Sequence, residues 1–211
     1  NKPFLYQLSP KGEEYLRDVE GLDFTNAPAI KRKHQDFEHE VMSSAISASC
    51  ELNTLNSKYE FTPQHELGVS INMAIEGDTL KPDGAFRLSN LRNQVLVFRE
   101  EDRGTEPLFS KAKRKSIEAN LQLWKKAIGG GIYKDHFNVK HGALLLFSTV
   151  RQSRMERILD MIDSMFPNGC PYILLQNRPE FGWNFESPQV LNVLGTKCFR
   201  SYKKSPYFRF L

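Results

Sequence analysis

The 211-residue chain has no long apolar run; Ala143–Phe147 is typical of its short hydrophobic stretches, and the mean hydropathy is −0.48. A transmembrane helix needs about 20 apolar residues, so membrane insertion is not expected. The first residues lack the charged-then-apolar pattern of a signal peptide. There are only three cysteines, Cys50, Cys170 and Cys198, and they are scattered. That excludes a disulfide framework or a cysteine-based zinc site and points to a reducing cytoplasm. No His-x-His pair is present, which removes the histidine-metal, tyrosine-nucleophile design of DNA-nicking enzyme. No Gly-x-x-x-x-Gly-Lys loop is present, which removes the common nucleotide-phosphate cradle. Internal repeats and low-complexity tracts are also missing.

What remains suits one globular domain, or one domain with a small appendage: 40% hydrophobic and 26% charged residues can build an ordinary core. Net charge is +4, which permits nucleic-acid binding without demanding it. The basic residues are clustered, at Lys31–Lys33, Lys111–Lys115, Lys125–Lys126, Arg151–Arg157 and Arg200–Lys204, while a short acidic stretch occupies Glu100–Glu106.

Phe4–Leu16 reads as a strand, an N-cap at Ser9 and a short helix. It is either an ordinary strand–helix unit or the tail of a winged helix whose earlier helices lie upstream of residue 1. Leu22–Ile30 is a linker. Lys31–Cys50 reads as a helix with Phe37, Val41, Ala45 and Ala48 on its apolar face. Strands are expected at Glu66–Ile75, Asp83–Leu88 and Gln94–Asp102, the last two joined by a turn over Ser89–Asn93. A basic amphipathic helix follows at Phe109–Ile128, carrying Ile117, Leu121 and Trp124 and stopped by Gly129–Gly131. Gly142–Val150 is a strand apolar on both faces, Arg151–Phe166 a helix and Tyr172–Gln176 a strand. Val190–Leu194 gives a weak strand signal. The alternation is an α/β pattern.

The chemistry is concentrated in Lys81-Pro82-Asp83-Gly84 and Arg99-Glu100-Glu101-Asp102-Arg103-Gly104-Thr105-Glu106. With a turn near Leu91, Asp83 falls opposite Arg99 or Glu100, and directly opposed residues have Cβ atoms about 4.5–5.5 Å apart. Glu100 and Asp102 are two apart on one strand and share a face. Three carboxylates so gathered repel one another. A hard divalent cation such as Mg²⁺ offsets that, and it can activate water and hold a phosphate. Arg103 or Lys81 could neutralise the acids instead, and a solvated polar loop would leave them without a role.

The pattern Pro82-Asp83, then Glu100-x-Asp102, resembles the PD-(D/E)XK nuclease superfamily. The longer string Glu100-x-Asp102-Arg103-Gly104-Thr105-Glu106 is similar to the replication–relaxation family of plasmid proteins and to MobC-type mobilisation relaxases. The resemblance is strongest over residues 66–128. It implies a restriction-endonuclease-like α/β fold, a mixed central sheet flanked by helices, over residues 31–211. It also implies that residues 1–24 are the remnant of a winged helix. The activity it implies is metal-dependent nicking of one strand at a plasmid origin of transfer, in the bacterial cytoplasm, alongside other relaxosome proteins and a coupling protein.

By the same resemblance Asp83, Glu100 and Asp102 would hold Mg²⁺ or Mn²⁺, with Glu40, or else Glu38, as a further acid from the preceding helix. Asp102 stands where many superfamily members have lysine, so Lys113 or Lys115 is the candidate replacement. Lys111, Arg114, Arg151 and Arg154 are candidate phosphate contacts. His34 and His39 are expected on the surface, Trp124 in the core, and Tyr133, Tyr202 and Tyr207 in packing or base stacking. The missing lysine favours a second reading, a non-catalytic DNA-binding replication or relaxosome accessory protein.

Overall fold

A computed structural model describes residues 34–110, 115–182, 190–201 and 207–210. The expected winged-helix remnant, the linker, Lys111, Lys113, Arg114 and Tyr202 lie outside these residues.

Helix α1 (His34–Thr54) leads into strand β1 (Glu60–Pro63) and a short 3₁₀ turn at Gln64–Glu66. A small hairpin follows, β2 (Met73–Ile75) and β3 (Asp78–Leu80), and then the long hairpin β4 (Gly84–Ser89) and β5 (Gln94–Asp102). Helix α2 (Ile117–Trp124) continues through one π turn, Lys125–Gly129, into helix α3 (Ile132–Phe137). Strand β6 (Gly142–Thr149), helix α4 (Gln152–Met165), strand β7 (Ile173–Asn177) and two short strands, β8 (Cys198–Phe199) and β9 (Tyr207–Phe208), complete the order.

Among the described residues seven strands form one mixed sheet in the order β1-β4-β5-β6-β7-β8-β9. Strands β5, β6 and β7 are parallel, and the flanking pairs are antiparallel. The central strands are buried on both faces. Leu96 and Phe98 of β5 pack with Leu121, Trp124, Ile158 and Ile162, so α2 and α4 cover one side. Val97 points the other way, to Met42, Ile46 and Cys50 of α1. The expected α/β class, a mixed sheet flanked by helices, is what the structure has. Among the described residues no helix is long and apolar enough to cross a membrane.

Three expected elements differ. Glu66–Ile75 is a 3₁₀ turn and loop before a strand of only three residues, because Gly68 adopts a positive φ and Ser70 bonds back to the Asn72 N–H. The helix expected over Phe109–Ile128 is capped at Ser116, whose Oγ accepts from the Ala119 N–H, so Lys115 precedes it. Val190–Leu194 is not a strand; it packs on α1 through Asn53, whose side chain bonds both Leu191 O and the Leu194 N–H. The α1 stripe is also rotated. Met42, Ile46 and Cys50 are buried, whereas Val41 and Ala45 are half-buried and Ala48 is exposed.

The β4–β5 turn forms as expected, with Asn90 accepting from the N–H groups of Arg92 and Asn93. Its register pairs Gly84 with Arg99 and so sets Asp83 across from Glu100. Gly84 is required there. A Cβ would overlap the Arg99 guanidinium, with Cζ and Nε only 2.8 Å away. That guanidinium cannot move aside, because it is buried and bonded to Glu101 Oε1 and Ser43 O, each at 2.9 Å. Gly84→Ala is therefore expected to cost about 1–3 kcal/mol, read as a lower midpoint in urea with an unchanged slope.

Candidate functional site

The carboxyl ends of β5 and β6 and the start of β4 meet at one edge of the sheet. In open α/β sheets such an edge is where ligands settle. A cavity of about 110 Å³ opens there, lined by His39, Asp83, Glu100, Glu101, Lys115 and Asn120 among others. Strand β5 ends in three consecutive buried acids, Glu100, Glu101 and Asp102. Buried acids require partners, and each of the three finds different ones because side chains alternate across the sheet.

Glu100 points to the α2 side. Its Oε1 accepts from the Trp124 indole N–H at 2.9 Å and its Oε2 from Asn120 Nδ2 at 3.0 Å. Asn120 and Trp124 are four apart on α2, so one helical face delivers both donors. Neither donor is charged. Burial, and then the charge of Asp83, push the Glu100 carboxyl well above its ordinary range, against the opposing pull of Trp124, Lys115 and Asn120. Glu101 points to the α1 side and pairs with Arg99 at 2.9 Å. Burial still raises its carboxyl, with Arg99 working against the shift. Its Oε2 is buried and, among the described residues, makes no hydrogen bond.

Asp102 shares the Glu100 face but is already neutralised. Arg154 of α4 grips both its oxygens, Nη2 reaching Oδ1 at 2.9 Å and Nε reaching Oδ2. Thr149 Oγ1 donates to Oδ2 at 3.1 Å and the Gly104 N–H to Oδ1 at 2.9 Å. Gly104 has φ +82°, which turns the chain back so that this N–H can reach. Asp102, expected as a metal ligand, and Arg154, expected as a phosphate contact, are paired with each other.

Asp83 is half-buried just before β4. Its Oδ2 accepts from the Glu101 N–H at 2.7 Å and from His39 Nε2 at 3.2 Å. His39, expected on the surface, lies one turn before Met42 on the buried stripe of α1, which carries it to the cavity wall. The bond to Asp83 raises its pKa, burial opposing. Of the two acids expected from this helix, Glu38 pairs with Arg103 and Glu40 is not among the cavity-lining residues, whereas His39 is. Lys115 does line the cavity, pairing with Glu106 at 2.8 Å while remaining 71% exposed. Burial pulls its ammonium down, but Glu106, Glu100 and Asp83 together hold it above its ordinary value. Arg151 is exposed at the start of α4. Tyr133 is buried and donates to His141 O at 2.9 Å, and Trp124 is in the core as expected.

Among the described residues no group of three or more His, Cys, Asp or Glu side chains is placed to hold a metal ion. Asp83 and Glu100 nevertheless share one cavity, and Glu101 is among the residues lining it. Mg²⁺ is commonly held by one or two carboxylates and keeps several waters. The donor set fits that mode with Asp83 and Glu100 as the ligands, and Asp102 outside it.

Glu100→Gln is expected to leave the fold intact. Among the described residues Asn120 Oδ1 is buried without a hydrogen-bond partner, so an amide flip at Asn120 would let it accept from the new side chain. The sign of the pH effect follows from the raised carboxyl. The folded state holds that proton more tightly than the unfolded chain, so Glu100 contributes most below the ordinary carboxylate range and the contribution is lost as pH climbs to the raised value. Thermal melts without metal at pH 5 and pH 8 should show a smaller fall for Glu100→Gln than for wild type. An equal or larger fall would place the titration elsewhere.

No family model matches the chain, and no match is found among curated proteins. A solved structure of an XisH family protein from Nostoc punctiforme PCC 73102 superposes on 67% of this chain and 94% of its own, at 10% identity and a TM-score of 0.38. A likeness that weak does not establish a shared fold.

Proposed function

We propose that this chain is a divalent-metal-dependent DNA endonuclease of restriction-endonuclease-like design, nicking one strand at a plasmid origin of transfer. The observation that carries the metal-dependent part is the meeting of Asp83 and Glu100 in one cavity at adjacent strand ends. The plasmid origin rests on the resemblance of Glu100–Glu106 to the replication–relaxation family. Bound Mg²⁺ or Mn²⁺ would polarise the scissile phosphodiester and acidify a water. Asp83 and Glu100 would hold it, both as carboxylates. Lys115 would turn from Glu106 to the developing negative charge. Lys113 remains a second candidate for that role, and Lys111, Arg114 and Arg151 remain candidate backbone contacts.

The test is incubation of supercoiled plasmid carrying a transfer origin with the protein and Mg²⁺ or Mn²⁺. Nicked circles that vanish with EDTA are expected. Linear product would mean that both strands are cut, and an unchanged plasmid would contradict the proposal. The second reading, a DNA-binding accessory protein without catalysis, is favoured by Asp102, which is locked to Arg154 where superfamily nucleases often carry a lysine. It predicts DNA binding with no metal uptake.

A further inference from the structure

We infer that His39 is a positioning residue for Asp83, fixing the carboxylate so that its other oxygen serves the cation; this rests on the metal-dependent reading above. Two donors converge on the same oxygen, Oδ2: the Glu101 N–H at 2.7 Å and His39 Nε2 at 3.2 Å. Among the described residues no donor reaches Oδ1, and Asp83 lines the cavity shared with Glu100. The backbone N–H alone leaves the carboxylate free to swing about it. A second donor from a different element removes that freedom, because α1 and β5 approach Oδ2 independently.

His39 is not needed to hold α1 in place. The helix is buried through Met42, Ile46 and Cys50. It is also clipped to β5 by Arg99 bonding Ser43 O, and to the loop just after β5 by the Glu38–Arg103 pair. A half-exposed histidine on an otherwise apolar stripe, aimed at a carboxylate at a cavity wall, serves the carboxylate rather than the fold. Groups that orient ligating side chains typically contribute about 10–100-fold to metal affinity.

The experiment is calorimetric titration of Mn²⁺ into the full chain and its variants. His39→Ala should bind Mn²⁺ about 10–100-fold more weakly than wild type, with the melting temperature nearly unchanged. His39→Gln, whose amide N–H can stand where Nε2 stood, should recover most of the loss. In the nicking assay His39→Ala should need more Mn²⁺ but approach the wild-type rate once saturated. Wild-type binding with an equal affinity in His39→Ala would overturn the inference while leaving the metal reading in place. No Mn²⁺ uptake by wild type would overturn both. Should His39→Ala fail to fold, His39→Gln and His39→Met fill the space with and without a donor, and equal affinities for those two would overturn the inference.

Discussion

Asp83→Ala is expected to abolish nicking, by at least about a thousandfold, the scale on which the loss of one key electrostatic group falls, while the protein stays folded. The stability side follows from two opposing effects. The substitution removes two hydrogen bonds to Oδ2, from Glu101 N and His39, each contributing about 0.5–1.5 kcal/mol. It also removes the charge that helps push the buried Glu100 carboxyl upward, which relieves part of that loss. Asp83 is half-buried and lies outside the hydrophobic clusters, so no cavity opens in the core. The net effect should be a modest fall in melting temperature with native circular dichroism. Wild-type nicking by the folded variant would remove Asp83 from the reaction.

Arg154→Ala should have the largest effect on stability. It strands Asp102, whose side chain is only 3% exposed, with Thr149 and the Gly104 N–H as remaining partners. Breaking a buried pair from one side costs about 3–5 kcal/mol, a fall in Tm on the order of 10 °C for a chain of this size. The substitution also releases Glu106 O, which Arg154 Nη2 holds, and so loosens the loop bearing the partner of Lys115. The double variant Arg154→Met with Asp102→Asn should recover much of the loss, since no unpaired charge remains. If Arg154 tracked phosphates instead, Arg154→Ala would leave Tm unchanged and lower the salt slope of DNA binding by about one. The opposite signatures make the distinction decisive.

Much of the site was legible in the sequence because strand alternation is rigid. The turn at Asn90–Asn93 sets the register, the register brings Asp83 to Glu100, and the period of two puts Glu100 and Asp102 on one face. Three things were not legible. Whether a buried acid is free or neutralised depends on long-range partners, and Arg154 lies 52 positions from Asp102. Glu101 reads as a spacer between two candidate acids, although a strand buried on both faces leaves none of its acids in solvent. His39 is hard to read because Val41 and Ala45 suggest a different face of α1 from the one that is buried. The pattern His39, Met42, Ile46, Cys50 was present in the sequence and places a histidine at the end of the buried stripe. The basic stretch before α2 misled for a local reason: Ser116 is a strong N-cap, and it begins the helix after Lys115 rather than before it.

The central claim is that Asp83 and Glu100 together hold a divalent cation. Its most direct test is an anomalous difference map from crystals soaked in Mn²⁺, collected for wild type and for Glu100→Gln. The account predicts a peak within coordination distance of both carboxylates in wild type and its loss in the variant. A map with no peak at that cavity, or a peak unaffected by Glu100→Gln, would contradict it.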